Sequence, residues 1–213
     1  MFSIRLRRRL AHHLLIAFAA VALSFLFMKL FPKRDFISRM SIGTAYPALL
    51  LAAAALALGP WNVLRQKPNP VSFDLRRDLG IWAAIAALVH TAFGLNVHLR
   101  GKMWLYFADA HRRLRHDAFG FGNYTGVLAA AVFALLLALS NDLSLRKLGA
   151  PHWKFLQQWV YAAVALNFVH AVLYQHVEKR VLPFRVLLYA VLLFILVLQL
   201  AGAFKLRRPL PKN

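Results

Sequence analysis

The sequence contains no cysteine and few acidic residues. Without cysteine, disulfide bonds, thiolate catalysis and cysteine-ligated zinc or iron–sulfur sites are excluded. Asp and Glu together number 7 in 213 residues, and charged residues make up only 16%, whereas soluble domains have about a quarter. Hydrophobic residues make up 61%, and the mean hydropathy is +0.56. This composition excludes a disordered or collagen-like chain and disfavours a soluble globular domain, because too much apolar surface would face water.

The few acidic residues stand against 27 Lys and Arg, which gives a formal net charge of +20. A basic excess is typical of proteins that contact nucleic acid or a membrane surface. Beside so much apolar sequence, the membrane is the favoured partner. We therefore expect a lipid bilayer around the protein and no nucleic acid partner.

Six stretches are long and apolar enough to cross a bilayer, which takes about 20 residues. Clusters of proline, glycine, asparagine or charge separate them. Each segment between gaps has room for one span, so residues 1–213 are predicted to form a single domain. The expected fold class is an all-α integral membrane protein, a six-helix transmembrane bundle. The predicted spans are about 10–31, 41–61, 79–98, 124–140, 152–176 and 183–204.

The N-terminal stretch allows two interpretations. The arginines from Arg5 to Arg9, followed by Ala20-Val21-Ala22, are similar to a secretory signal peptide. The apolar run continues to Met28, however, and this length favours a retained first helix. Lys and Arg are slightly more frequent in the segments on the side of the N-terminus, so both termini are predicted to be cytoplasmic.

Two of the nine histidines, His90 and His170, lie deep inside predicted spans, whereas the others lie at span ends or in loops. Ionisable groups at membrane depth are costly and are functional candidates, although a neutral histidine bonded to a neighbouring helix is the ordinary alternative. Spans 3 and 5 cross in the same direction, and each histidine lies roughly 12–15 Å from the outer end of its span. Two imidazoles at one depth suit a haem with two axial histidines. Zinc would want a third or fourth ligand, and no Asp, Glu or Cys lies at this depth.

The helix faces beside the two histidines allow this interpretation. Small residues, among them Ala83 and Ala87, share the face of His90. They leave room for a flat macrocycle, or simply let helices pack closely. Asn167 and Tyr174 share the face of His170. They are candidates to fix an imidazole tautomer or to contact a propionate, and ordinary interhelical hydrogen bonds are the alternative.

Two blocks of sequence resemble helices 3 and 5 of the ferric-reductase-like transmembrane domain superfamily. Within it, the sequence is most similar to the haem-binding membrane subunit of the bacterial periplasmic methionine-sulfoxide reductase system. The first block is Leu75-Arg76-Arg77-Asp78-Leu79-Gly80-Ile81-Trp82 with Leu88-Val89-His90-Thr91. The second is Ser140-Asn141-Asp142-Leu143-Ser144-Leu145-Arg146-Lys147-Leu148-Gly149 with Trp153-Lys154-Phe155-Leu156-Gln157-Gln158-Trp159-Val160-Tyr161 and Val169-His170.

The resemblance implies a haem b protein of the bacterial inner membrane that transfers electrons across the bilayer. A quinol or a cytoplasmic flavin system would donate them, and an extracytoplasmic acceptor or reductase partner protein would take them. His90 and His170 correspond to the axial ligands of the outer haem. The chain would be an electron-transfer subunit of an oxidoreductase system, since it has no Gly-x-Gly-x-x-Gly, P-loop, paired carboxylates or nucleophile triad. The sequence does not specify the donor, the acceptor or the oligomeric state.

The sequence departs from the family at the inner end. Where the family usually has a histidine 13 residues before the second ligand, this chain has Gln157, and Arg76 lies 14 residues before His90. Glutamine is a poor haem ligand, so one haem on the outer side is expected. His12 or His13 is a candidate inner ligand, with an interfacial histidine as the alternative. A flavin or a quinone is the other candidate occupant of the inner end.

The stretch from His98 to Tyr124 contains an aromatic cluster around Trp104 and is predicted to lie along the membrane surface. Its candidate functions are docking of a partner and a metal site that includes His111 and His116. These two histidines are five residues apart, which does not place them on one helix face.

Two other functions remain open at this point. One is a haem-free structural or assembly subunit of a membrane complex. The other is a small transporter, which is disfavoured because no carboxylate lies inside a predicted span to bind a cation or relay protons. Glu178, the only glutamate, lies at a span end.

Overall fold

A computed structural model describes residues 4–67, 73–99 and 102–207, which are helical throughout apart from turns and one isolated β-bridge between Ala108 and Leu114. Residues 68–72, which lie between predicted spans 2 and 3, and the residues after Arg207 are not among those described. A short 3-10 helix, Met103–Tyr106, lies between the third and fourth α-helices. The α-helices are α1 (Ile4–Lys29), α2 (Phe36–Leu64), α3 (Phe73–Gly94), α4 (Ala118–Leu139), α5 (Asp142–Gln157), α6 (Val160–Val177) and α7 (Leu182–Arg207).

The all-helical class is confirmed, and the helices fit a multi-pass membrane protein. Many large apolar side chains, such as Phe18 and Leu193, point outward and are more than half exposed, as lipid contact requires. The third predicted span, 79–98, corresponds to α3, whose first turns carry Asp74, Arg77 and Asp78 and are therefore less apolar. Five helical segments among the described residues are long and apolar enough to cross a membrane: Leu6–Lys29, Phe36–Leu64, Ala118–Leu139, Asp142–Val177 and Leu182–Leu206.

Two helix pairs, α2 with α3 and α4 with α6, form the centre of the bundle, and α1 and α7 pack against α2. The start of α2 meets the end of α3, where His90 contacts Ser41. The start of α4 likewise meets the second half of α6, where His170 contacts Gly122. We call the end at which α3 ends and α4 begins the outer end, and the opposite end the inner end.

The predicted span 152–176 is divided into two helices in the structure. Gly149 adopts a left-handed φ of 71°, and Pro151 cannot donate a backbone hydrogen bond, so α5 is kinked at this point. The chain then turns at Gln158, and α6 begins at Val160. α5 packs mainly on α4 through the buried Trp153, whose Nε1 donates to the carbonyl of Leu139 at 2.9 Å. Only α6 therefore carries His170 through the bundle.

The inner end is held together by a buried carboxylate. Asp78 on α3 is fully buried, and its Oδ1 accepts from Arg9 Nη2 of α1 at 2.8 Å. His12 and His13, also on α1, approach the same carboxylate at 3.5 and 3.3 Å. Trp82 Nε1 donates to the second ring nitrogen of His13 at 3.2 Å. These contacts join α1 to α3 through polar groups at the inner end.

We expect Asp78→Ala to destabilise the protein by about 3 kcal/mol, because loss of one partner leaves the largely buried Arg9 cation uncompensated. The measurement is the thermal melting temperature in detergent. Arg8→Ala is the control, since Arg8 also joins α1 to an aspartate of α3, Asp74, but its side chain is 63% exposed and Asp74 keeps Arg77 as a second partner at 3.8 Å. The control should change stability by less than about 1 kcal/mol. Equal shifts in the two variants would contradict this account of Asp78.

Candidate functional site

A cavity of about 170 Å³ lies in the outer half of the bundle, between α2, α3, α4 and α6. His90 and His170 both line it, as does Asn167. Charged groups, Glu178 among them, line its mouth. The remaining walls are largely apolar or small side chains. The cavity therefore combines two imidazoles with an apolar interior and a charged opening.

The structure brings the two histidines of the predicted site together. The ring centres of His90 and His170 lie 6.0 Å apart, with the ring planes inclined by 70°. This agrees with the expectation that the two side chains meet inside the bundle, while their role as iron ligands stays a prediction. Tyr174 packs against the His170 ring with a centre separation of 4.8 Å, which restricts the orientation of that imidazole.

Each histidine is oriented by a backbone carbonyl of a neighbouring helix. His90 Nδ1 lies 2.8 Å from the carbonyl oxygen of Ser41 on α2, and His170 Nδ1 lies 2.8 Å from that of Gly122 on α4. Both carbonyls also accept a hydrogen bond from the threonine three residues later, Thr44 and Thr125. The two halves of the site are thus built in the same way on two different helices.

These contacts determine the tautomer of each ring. A carbonyl oxygen can only accept, so Nδ1 carries the hydrogen and Nε2 keeps a lone pair. Among the described residues, no hydrogen bond reaches Nε2 of His90 or His170. A metal-ligating histidine commonly has its other nitrogen held by a carbonyl or carboxylate in this manner. Both side chains therefore present an available donor atom in the cavity.

Glycine on α4 makes room for the His170 ring. A Cβ atom at Gly126 would lie 2.5 Å from Nδ1 and 2.8 Å from Cε1 of His170, which is closer than real contacts allow. At Gly122, a Cβ would lie 3.1 Å from the ring of Tyr174. The close approach of α4 to α6 thus depends on residues without side chains at these two positions.

Asn167 and Tyr174, the two candidates for fixing an imidazole tautomer, make no hydrogen bond to the ring nitrogens of the two histidines among the described residues. Tyr174 donates its hydroxyl hydrogen to Asn123 Oδ1 at 2.6 Å, and Asn123 Nδ2 donates to the carbonyl of Tyr106 at 3.0 Å. Tyr106 is 1% exposed, and its hydroxyl donates to the carbonyl of Gly94 at the end of α3 at 3.1 Å. Asn167 lines the cavity, and its side chain has no hydrogen bond within the described ranges.

The mouth of the cavity carries a cluster of ionisable groups from three separate turns, which we call the mouth cluster: Arg34, His98, Glu178 and Arg180. His98 Nε2 lies 2.9 Å from Glu178 Oε1, while Arg34 and Arg180 approach Oε2 at 3.4 and 3.7 Å. The hydrogen bond from His98, together with the two arginines, lowers the pKa of Glu178 below its ordinary value. Glu178 is therefore an ionised carboxylate at neutral pH.

The other sequence candidates have different surroundings. Both nitrogens of His13 have partners in Trp82 and Asp78, so His13 is not free to bind iron. Gln157 is an inner residue whose Nε2 is buried without a hydrogen-bond partner. His116 packs against Phe121 at the start of α4. In the described part of the chain, no group of three or more His, Asp or Glu side chains is placed to hold a metal ion.

Comparison with models of known protein families, with curated proteins and with solved structures finds no match to this chain. What the molecule does is therefore inferred from its own residues. They define an all-helical protein whose apolar helices suit a membrane and whose interior holds two oriented imidazoles beside a cavity.

Sequence reasoning missed the residues that shape the site around the histidines. The carbonyls of Ser41 and Gly122 carry no side-chain signal. Gly126 follows Gly122 by four residues in α4, and this spacing of small residues indicates a close helix contact but not its partner. The mouth cluster joins Arg34 to residues more than 60 positions away, a proximity that the sequence pattern does not contain.

Proposed function

We propose that the protein is a haem b electron-transfer subunit of the ferric-reductase-like type, with His90 and His170 as the axial ligands. The observation that carries this proposal is the separation of 6.0 Å between the two ring centres. Two imidazoles on opposite sides of one iron have ring centres roughly 6 Å apart, taking about 2 Å for each metal–nitrogen bond. An interhelical hydrogen bond between the two rings would not leave both Nε2 atoms without partners.

The donor set and the cavity also fit a haem. Two neutral imidazoles with Nδ1 held by carbonyls are suitable axial ligands, and the pair leaves no position for a third protein ligand. The apolar walls suit a macrocycle, and the ionic mouth suits its charged edge. A haem would supply one-electron oxidation and reduction. The chain's own residues hold the two imidazoles in one tautomer and keep charge at the outer end.

The direction of electron transfer follows from the proposed orientation. The site lies in the outer half of the bundle, so an extracytoplasmic partner or acceptor would take electrons there, and a quinol or cytoplasmic flavin donor would act from the inner end.

The main test of this proposal is the amount of haem per chain. We expect a pyridine haemochrome ratio near one, because the structure provides one pair of oriented histidines. Gln157→Ala should retain that haem, since Gln157 lies at the inner end. The purified protein should also show a Soret band that shifts on reduction by a quinol. A ratio near two, or loss of haem in the Gln157 variant, would mean that a second site exists at the inner end.

Both termini are expected on the cytoplasmic side of a bacterial inner membrane, since the basic N-terminal helix and the end of α7 lie at the same end of the bundle. A reporter that is active only in the cytoplasm should work when fused to the C-terminus. A second fusion after Lys179, in the turn between α6 and α7, should be inactive. The reverse pattern would overturn the orientation and the assignment of donor and acceptor sides.

A further inference from the structure

The mouth cluster has more positive than negative charge. Glu178 is the only acidic residue among the described residues that line the cavity, and it faces two guanidinium groups and one imidazole. Arg34 and Arg180 with Glu178 carry a net charge of +1, and protonation of His98 would add one more. The cavity mouth therefore attracts an anion.

Glu178 does not form short hydrogen bonds with Arg34 or Arg180. Charge-assisted hydrogen bonds between a cation and a carboxylate are about 2.7–2.9 Å long. Only the His98 contact, at 2.9 Å, has this length, while the two arginines lie 3.4 and 3.7 Å from Glu178 Oε2. Arg34 and Arg180 thus keep donors for a second carboxylate.

Burial makes this excess charge costly in the absence of an anion. The side chain of Arg180 is 16% exposed and that of Glu178 is 9% exposed. Arg180 also lies over the ring of Phe31, with 5.6 Å between its Cζ atom and the ring centre. Burial lowers the pKa of Arg180 below its ordinary value. A buried cation is stabilised when a hydrogen-bonded anion compensates its charge.

We propose that Arg34 and Arg180, held in place by Glu178, form a carboxylate-binding site that takes the propionate edge of a porphyrin bound between His90 and His170. This inference rests on the proposed function and adds the residues that determine which porphyrins bind and which edge points outward. Guanidinium groups suit the role because their planar donors match carboxylate geometry. Arg34 and Arg180 are positioning residues here, since neither is expected to contact the iron.

The test compares haem with haem dimethyl ester, in which both carboxylates are blocked but the iron and the macrocycle are unchanged. Affinities are measured by Soret titration of haem-free protein in detergent. We expect the wild type to bind haem at least about tenfold more tightly than the ester, as for the loss of groups that orient a bound cofactor. The double variant Arg34→Gln, Arg180→Gln should lose this preference and keep the wild-type affinity for the ester.

Ester binding also reports whether the variants are folded, so a misfolded variant is distinguished from one that lacks the carboxylate site. Arg113→Gln is the control, because Arg113 is also an outer-end arginine beside a carboxylate but its side chain is 76% exposed. It should keep the full preference for haem. Equal wild-type affinities for haem and ester would overturn the carboxylate site and leave the proposed function standing. Failure of both porphyrins to give a bis-histidine spectrum would overturn the proposed function and this inference with it.

Discussion

Replacing His90 or His170 with alanine should abolish haem retention, giving a pyridine haemochrome ratio close to zero. The reason is that a single imidazole cannot fill both axial positions of six-coordinate iron. The wild-type haem should in turn resist added axial ligands such as carbon monoxide, since both positions are occupied. Haem content per chain and the reduced-minus-oxidised spectrum measure the two effects.

The matched control is His152→Ala, which removes an exposed histidine of α5. This variant should keep its haem. Because each histidine also joins two helices through Nδ1, the alanine variants should be compared by membrane abundance and by melting temperature as well. Retention of haem in either variant, or equal loss in the control, would show that the axial ligands are other residues.

Gly126→Ala should weaken haem binding strongly although residue 126 is not an iron ligand. The added methyl group would lie 2.5 Å from His170 Nδ1, so either the ring leaves its position or α4 moves away from α6. Overpacking of this kind costs about 1–3 kcal/mol, and it also breaks the hydrogen bond that orients the imidazole. The expected result is a lower haem content, measured on the purified protein.

Gly80→Ala provides the control for this prediction. Gly80 lies within α3, and a Cβ atom there would have no neighbour within 4 Å. Alanine favours helix over glycine by up to about 1 kcal/mol, so this variant should be as stable as the wild type or slightly more stable. Full haem retention in the Gly126 variant would mean that the His170 ring is not confined by α4.

The depth of the two histidines could be predicted from the sequence because it depends only on helix rise and on where the charges begin. The same reasoning found the helical spans, because an apolar run can be recognised without knowing which helices pack beside it. It placed the start of α4 at 124, whereas the helix begins at Ala118, where the Asp117 side chain accepts from Gly120 N. Capping residues inside a long connection are easily overlooked when hydropathy alone sets the boundary.

The break before α6 lies at Gln158 and Trp159, inside the predicted span 152–176, where no proline or glycine marks it in the sequence. Asp78 directly precedes the predicted span 79–98, where the sequence pattern indicates an interfacial charge, and the structure buries it completely under α1. The partners of a buried charge depend on which helices meet, and that information is not present in any one segment. The backbone carbonyls that orient the histidines could not be predicted from the sequence either, because every residue has a carbonyl whatever its side chain.

The use of main-chain oxygens to hold the imidazoles affects which mutations the site tolerates. A substitution at position 41 cannot delete the acceptor of His90, because the Ser41 oxygen that accepts belongs to the peptide group. Substitutions that keep the helix backbone in place should therefore be permitted at this position. The vulnerable positions are those that set the spacing between helices, Gly126 above all. In a saturation library of α2 and α4, position 41 should accordingly tolerate many residues, whereas position 126 should accept only glycine.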